Sequence, residues 1–160
     1  MKLRPALGLA ASIAFALTLT TPTGAQTQAK ATPDGAWDFA TETLGAGCTL
    51  SGNIHFKRTA DKAYTCRFTA VWSCKQRSPK AVHTEQSCVA TQTGENVVIT
   101  SKIDKVGKVD PVELTQQMRD HYAADHFSVK IIRLGDRMDG LFRSYGQAPV
   151  VFRKHEDLIS

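Results

Sequence analysis

The chain has no C-x-x-C pair, no G-x-S-x-G, no H-E-x-x-H and no glycine-rich phosphate loop. Zinc-ribbon and thioredoxin-like readings therefore lack their cysteine spacing, and hydrolase, zinc-protease and nucleotide-binding readings lack their motifs. No asparagine stands in a glycosylation sequon, and no segment repeats another. The 20 Lys and Arg are scattered among 15 Asp and Glu rather than clustered. The electrostatic footprint of a nucleic-acid-binding protein is thus missing. The longest uncharged apolar run, from Ala6 to Leu19, is shorter than the ~20 residues that span a bilayer. No later stretch is apolar enough to do so.

What is present begins with that run. Lys2 and Arg4 precede it, and Thr23-Gly24-Ala25 follows with small residues where a signal peptidase reads. Residues 1–25 are expected to be a signal peptide, cleaved near Ala25-Gln26. No cysteine follows that site, so lipid attachment there is not expected. Loss of Lys2 and Arg4 lowers the formal charge from +5 to +3. Gln26 to Asp34 is small and polar and reads as a disordered lead-in. Residues 35–160 are long enough for one domain with its own core.

Alternation dominates that domain. In Tyr64-Thr-Cys66-Arg-Phe68-Thr-Ala70-Val-Trp72-Ser-Cys74 every second residue is apolar or cysteine. Strand side chains alternate faces, so this is a strand with one dry face. Similar runs begin at Gly35, Cys48, Val82, Asn96, Phe127, Met138 and Val150, separated by turn residues. The fifth run is expected to end at Ile103. Asp110-Pro111-Val112-Glu113 then reads as a helix start, with Asp110 as cap and Glu113 three residues on. Leu114, Met118 and Tyr122 share one helical face, giving a helix of about three turns. Eight short strands with short connections imply antiparallel neighbours. The expected fold is a mainly β, eight-stranded up-and-down barrel with a short helix between strands five and six; a two-sheet sandwich is the alternative.

Four cysteines in an exported chain read as two disulfides. Cys66 and Cys74 lie on one strand about 26 Å apart, whereas a disulfide needs Cα atoms within about 7 Å. They are therefore not joined to each other. A turn at Thr59–Lys62 brings Cys48 near Cys74, and a loop near Arg77-Ser78 brings Cys66 near Cys88. The expected pairs are Cys48–Cys74 and Cys66–Cys88. The remaining pairing needs a turn inside Ile54-His-Phe56-Lys57, which reads as strand.

Chemistry-bearing clusters are few. Asp120-His121 and Asp125-His126 stand close together, but His121 and His126 are not four apart, as one helical face requires for a metal pair. They read as a polar helix end, and no metal or cofactor is expected. His55 and His83 fall on wet faces, so no nucleophile–base pair is indicated. Tyr64, Phe68 and Trp72 point inward with Leu50, Ile54, Phe56, Val97, Ile99, Val129, Ile131 and Phe152. With Trp37 they either fill a core or line a pocket for an apolar ligand at a barrel mouth.

Gly35-Ala36-Trp37 on the first strand, with a late Arg153, resembles the G-x-W opening of calycin-type barrels such as lipocalins and avidins. That resemblance implies that Trp37 plugs one barrel end and that Arg153 packs on it. Gly35-Ala-Trp37 through Cys48-Thr-Leu50 is also similar to the start of small bacterial metalloprotease inhibitors. The cysteines and the helix depart from these families. Together the readings predict a non-enzymatic exported protein, periplasmic or extracellular, that binds a small apolar ligand or an envelope protein through Trp37, Tyr64, Phe68 and Trp72. The alternative is a periplasmic protease inhibitor acting through residues 26–34.

Overall fold

The computed structural model describes residues 31–132 and 135–155. The expected signal peptide lies outside them. Eight strands follow in order: β1 Gly35–Thr41, β2 Cys48–Ala60, β3 Ala63–Cys74, β4 Ala81–Thr93, β5 Asn96–Asp110, β6 His126–Ile132, β7 Arg137–Arg143 and β8 Gln147–Lys154. Each pairs antiparallel with the next, and β8 pairs with β1, so the sheet closes as a barrel. The barrel, not the sandwich, is the fold. Alternation decides which side chains enter: on β3, Tyr64, Cys66, Phe68 and Ala70 are buried, while Thr65, Arg67 and Thr69 face water.

The interior is filled. Phe39 lies 5.9 Å from Phe68, 5.2 Å from Phe127 and 5.3 Å from Phe152, centroid to centroid. Phe142 lies beyond Phe127 at 5.8 Å, its ring tilted by 50°. Phe39 meets Phe68 and Phe127 edge to face, a geometry that stabilises a core beyond its area alone. Two glycines let the wall bend tightly around these rings. A Cβ on Gly52 would lie 2.0 Å from the Thr69 carbonyl oxygen, and one on Gly140 would lie 2.1 Å from that of Ser128. Only a residue without a side chain permits such close approach of neighbouring strands.

Both disulfides are those expected. Cys48–Cys74 joins β2 to β3, and Cys66–Cys88 joins β3 to β4, each between directly opposed residues. The central strand is therefore bonded to a neighbour on each side.

Three expectations are corrected. First, β5 does not end at Ile103 but runs to Asp110. It pairs with β6 only from Asn96 to Ile99. Beyond that, two register shifts against β4 and the exposed lysines Lys102, Lys105 and Lys108 blunt its edge. Second, Asp110 does not cap a helix, because it is still strand, and Pro111 is extended (φ −75°, ψ 154°). A 3₁₀ turn at Val112–Leu114 leads instead into the helix α1, Thr115–His121. Third, the described part of the lead-in, residues 31–34, is packed rather than loose. Pro33 is buried and its carbonyl accepts the Trp37 indole N–H at 2.7 Å. The Ala31 carbonyl accepts from Gln92 Nε2 at 2.9 Å.

Candidate functional site

The two mouths of the barrel are closed differently. At the end where β1 begins, Trp37 fills the opening and is fully buried. Gln92, inward on β4, accepts from Tyr64 Oη at 2.9 Å and donates to the carbonyls of Ala31 and Gly94. No buried side-chain polar atom there lacks a partner among the described residues, and residues 31–34 pack over this end through Ala31 and Pro33. The cation over the Trp37 ring is Lys154, with Nζ 5.7 Å from the centroid. This corrects the expected Trp37–Arg153 partnership. Arg153 lies opposite Asp38, one residue out of phase, and faces outward.

The opposite mouth is covered from outside. The inner faces of β4 and β5 continue past β6 and carry Val82, Val106 and Val109, an apolar cluster separate from the main core. Leu114, Met118 and Tyr122 pack onto it, as the four-residue spacing predicts. Trp72 touches both clusters, with its ring 6.5 Å from Phe142. It therefore forms the floor between the filled interior and the covered mouth. Yet no residue of the 3₁₀ turn or of α1 is fully buried. A cover with so little buried surface belongs to the less stable part of a fold.

A polar latch holds that cover. Asp125, where the chain descends from the helix into β6, is fully buried. Its Oδ2 accepts from Gln86 Nε2 at 2.5 Å and from Tyr122 Oη at 3.4 Å. Its backbone N–H donates to Gln86 Oε1 at 3.1 Å. Gln86 is itself buried on the inner face of β4 and donates to Thr84 Oγ1 at 3.0 Å. The Asp125 carbonyl accepts from the Ser101 hydroxyl. Beyond the helix, Tyr145 Oη accepts from the Ala123 N–H at 2.7 Å and donates to the His121 carbonyl. Burial pushes the Asp125 carboxyl up to about 6, against the hydrogen bonds from Gln86 and Tyr122 that favour its charged form. Burial also pushes the Tyr122 and Tyr145 phenols up. Asp125 Oδ1 has no hydrogen-bond partner among the described residues.

The sequence-derived candidates divide along this line. Trp37, Tyr64 and Phe68 belong to the sealed core, with relative exposures of 0%, 2% and 3%. Trp72 alone of the four reaches a mouth that is not sealed. His121 ends α1 exposed, and His126 opens β6 with Nδ1 accepting from the Ser101 N–H at 3.1 Å. Among the described residues no group of three or more His, Cys, Asp or Glu is gathered for a metal ion. Sequence reasoning missed Gln86, and it read Asp125 only as part of a polar helix end beside His126. Gln86 had a signal, since it sits in the dry phase of Val82, Thr84, Gln86 and Cys88. The burial of Asp125 had none, because it lies outside any periodic run.

A second concavity, a groove of about 480 Å³, crosses the outer wall from β1 to β5. Its carboxylates are each engaged locally: His155 Nδ1 meets Asp38 at 3.0 Å, Lys105 meets Glu85 at 3.0 Å and Ser87 donates to Asp104 at 2.8 Å. Arg67 also lines it and enters no ion pair among the described residues.

No family model and no curated protein matches the chain. Among solved structures it is similar to a redesigned β barrel, at 10% identity over 77% of this chain and 91% of that one, with TM-score 0.49. It is also similar to a redesigned β barrel, mFAP1, bound to DFHBI, at 13% identity over 76% and 94%, with TM-score 0.48. A de novo designed fluorescence-activating β barrel follows at 16% identity over 76% and 93%, with TM-score 0.43. At these scores the likeness adds nothing to the strand pairing already described, and no function is taken from it.

Proposed function

We propose that this is an exported, non-enzymatic binding protein of the cell envelope that takes a small apolar ligand at its helix-covered mouth. Its chain order would be signal peptide 1–25, lead-in 26–34 and barrel 35–160. The observation that carries the reading is the apolar cluster of Val82, Val106 and Val109, outside the filled core, with Trp72 and Ile103 beside it and half-buried Leu114, Met118 and Tyr122 as its cover. Apolar surface under a detachable cover is what an apolar ligand needs. Displacing α1 would open a site floored by Trp72 while the filled barrel beneath stays intact. The two disulfides fit an oxidising compartment and stiffen the wall on which the cover moves. The calycin resemblance is compatible with this use of a barrel mouth.

The inhibitor reading asks residues 26–34 to enter another protein's cleft. Residues 31–34 already close this barrel through Trp37 and Gln92, which favours the ligand reading. A titration with octanol, read by tryptophan emission, tests it. Saturable change that Trp72→Phe removes and that persists after deletion of residues 26–30 supports the reading. Absence of saturable change overturns it.

A further inference from the structure

The covered mouth contains a carboxylate with no positive partner. Asp125 is fully buried, yet no ion pair among the described residues includes it. The groups facing it are neutral: Gln86 on β4 and Tyr122 on its own segment donate to it, and Ser144 after β7 gives its hydroxyl proton to the Ala123 carbonyl. Tyr145, whose phenol is occupied by the Ala123 N–H and His121 carbonyl, stands behind Tyr122, their rings 5.7 Å apart. His126, next in the chain, turns Nδ1 to the Ser101 N–H. Oδ2 is engaged and Oδ1 is not. A buried charge ordinarily finds a counter-charge and fills its acceptor sites. Here the carboxylate lies on the segment that descends from the cover, bonded to Tyr122, which itself packs on the apolar cluster.

We infer that the ligand of this mouth is an amphiphilic amine, an apolar body carrying an ammonium group that donates to Asp125 Oδ1. This rests on the mouth being the binding site. The apolar body packs against Trp72, Val82, Val106 and Val109, and the ammonium supplies the donor and the positive charge that the fold omits. A charge-assisted hydrogen bond in a dry site is stronger than one between neutral groups. An alcohol of the same length satisfies Oδ1 without neutralising it. A carboxylate of the same length is repelled.

Octylamine, octanol and octanoate at neutral pH separate these cases by calorimetry on the purified protein. The expected order is octylamine tightest by about ten-fold or more over octanol, then octanoate weakest. In Asp125→Asn the advantage of octylamine over octanol should collapse to within about two-fold. The wild-type order decides the matter even where Asp125→Asn fails to fold. Octanol binding as tightly as octylamine, or an advantage that survives Asp125→Asn, overturns the inference and leaves the mouth reading standing. Binding of none of the three overturns both.

Discussion

Gln86 and Asp125, 39 residues apart, hold each other by two hydrogen bonds of opposite direction. One ties the side-chain amide to the carboxylate, and the other ties the backbone N–H of Asp125 to the amide oxygen. The pair fixes the end of the cover to the wall of β4. Gln86→Leu removes both bonds and leaves a buried carboxylate less satisfied. It should cost about 2–4 kcal/mol in denaturant unfolding. Hydrogen exchange should quicken first across residues 111–125. Unchanged exchange there would show that the latch does not hold the cover.

The same carboxylate sets a pH dependence. Its pKa is raised from 3.8 to about 6 by burial. The folded state thus holds the proton more tightly than the unfolded chain. The stabilisation from protonated Asp125 is complete below pH 3.8 and is lost as pH rises to about 6. The expected loss is about 3 kcal/mol. Other carboxylates titrate in this range too, so the useful quantity is the stability difference between wild type and Asp125→Asn. That difference should shift by about 2.4 kcal/mol in favour of the variant between pH 4 and pH 7. An equal difference at both pH values would contradict the assignment.

The close approach of β2 to β3 makes a third expectation. Gly52→Ala places a methyl 2.0 Å from a backbone oxygen and 2.8 Å from the Phe39 ring. Neither neighbour moves cheaply, because one is backbone and the other is wedged in the core. The cost should be about 3 kcal/mol or more. Gly45→Ala meets nothing within 4 Å and should stay within about 0.5 kcal/mol of wild type. Thermal melts of the two variants give the comparison.

How much of this was legible in the sequence depends on the physics behind each signal. Period-2 alternation is local, so the faces of β3 and the burial of Tyr64 and Phe68 could be read directly. The disulfides followed because each hairpin turn placed one cysteine opposite another. The end of β5 could not be read. Past Ile103 two register shifts break the alternation, and Asp110-Pro111 imitates a helix cap. Arg153 was misassigned because one residue of phase reverses a strand side chain, which put Lys154 over Trp37. The latch was hidden for a different reason. It is a long-range contact between a coil residue and an inward glutamine, and no short-range pattern encodes it.

The disulfides supply a fourth expectation. Replacing Cys66 and Cys88 together by alanine, or Cys48 and Cys74 together, should cost about 2–4 kcal/mol for each bridge. The bridges close loops of similar length, with separations of 22 and 26 residues, so the two costs should be similar in the chain-entropy view. Cys66 and Cys88 are packed in the main core, while Cys48 and Cys74 lie at the end of the barrel that carries the cover. Only the second pair should also change hydrogen exchange around that mouth. Urea unfolding of the two double variants, followed by exchange, distinguishes them.

The central claim is that a ligand enters beneath α1 and nowhere else. Methyl and indole NMR during an octanol titration tests it most directly. The account predicts saturable shifts of the Trp72 indole and of the methyls of Val82, Val106, Val109 and Met118. The Trp37 indole in the sealed end should be silent. Shifts confined to the outer groove beside His55 and Arg67, or no saturable shift at all, would contradict it.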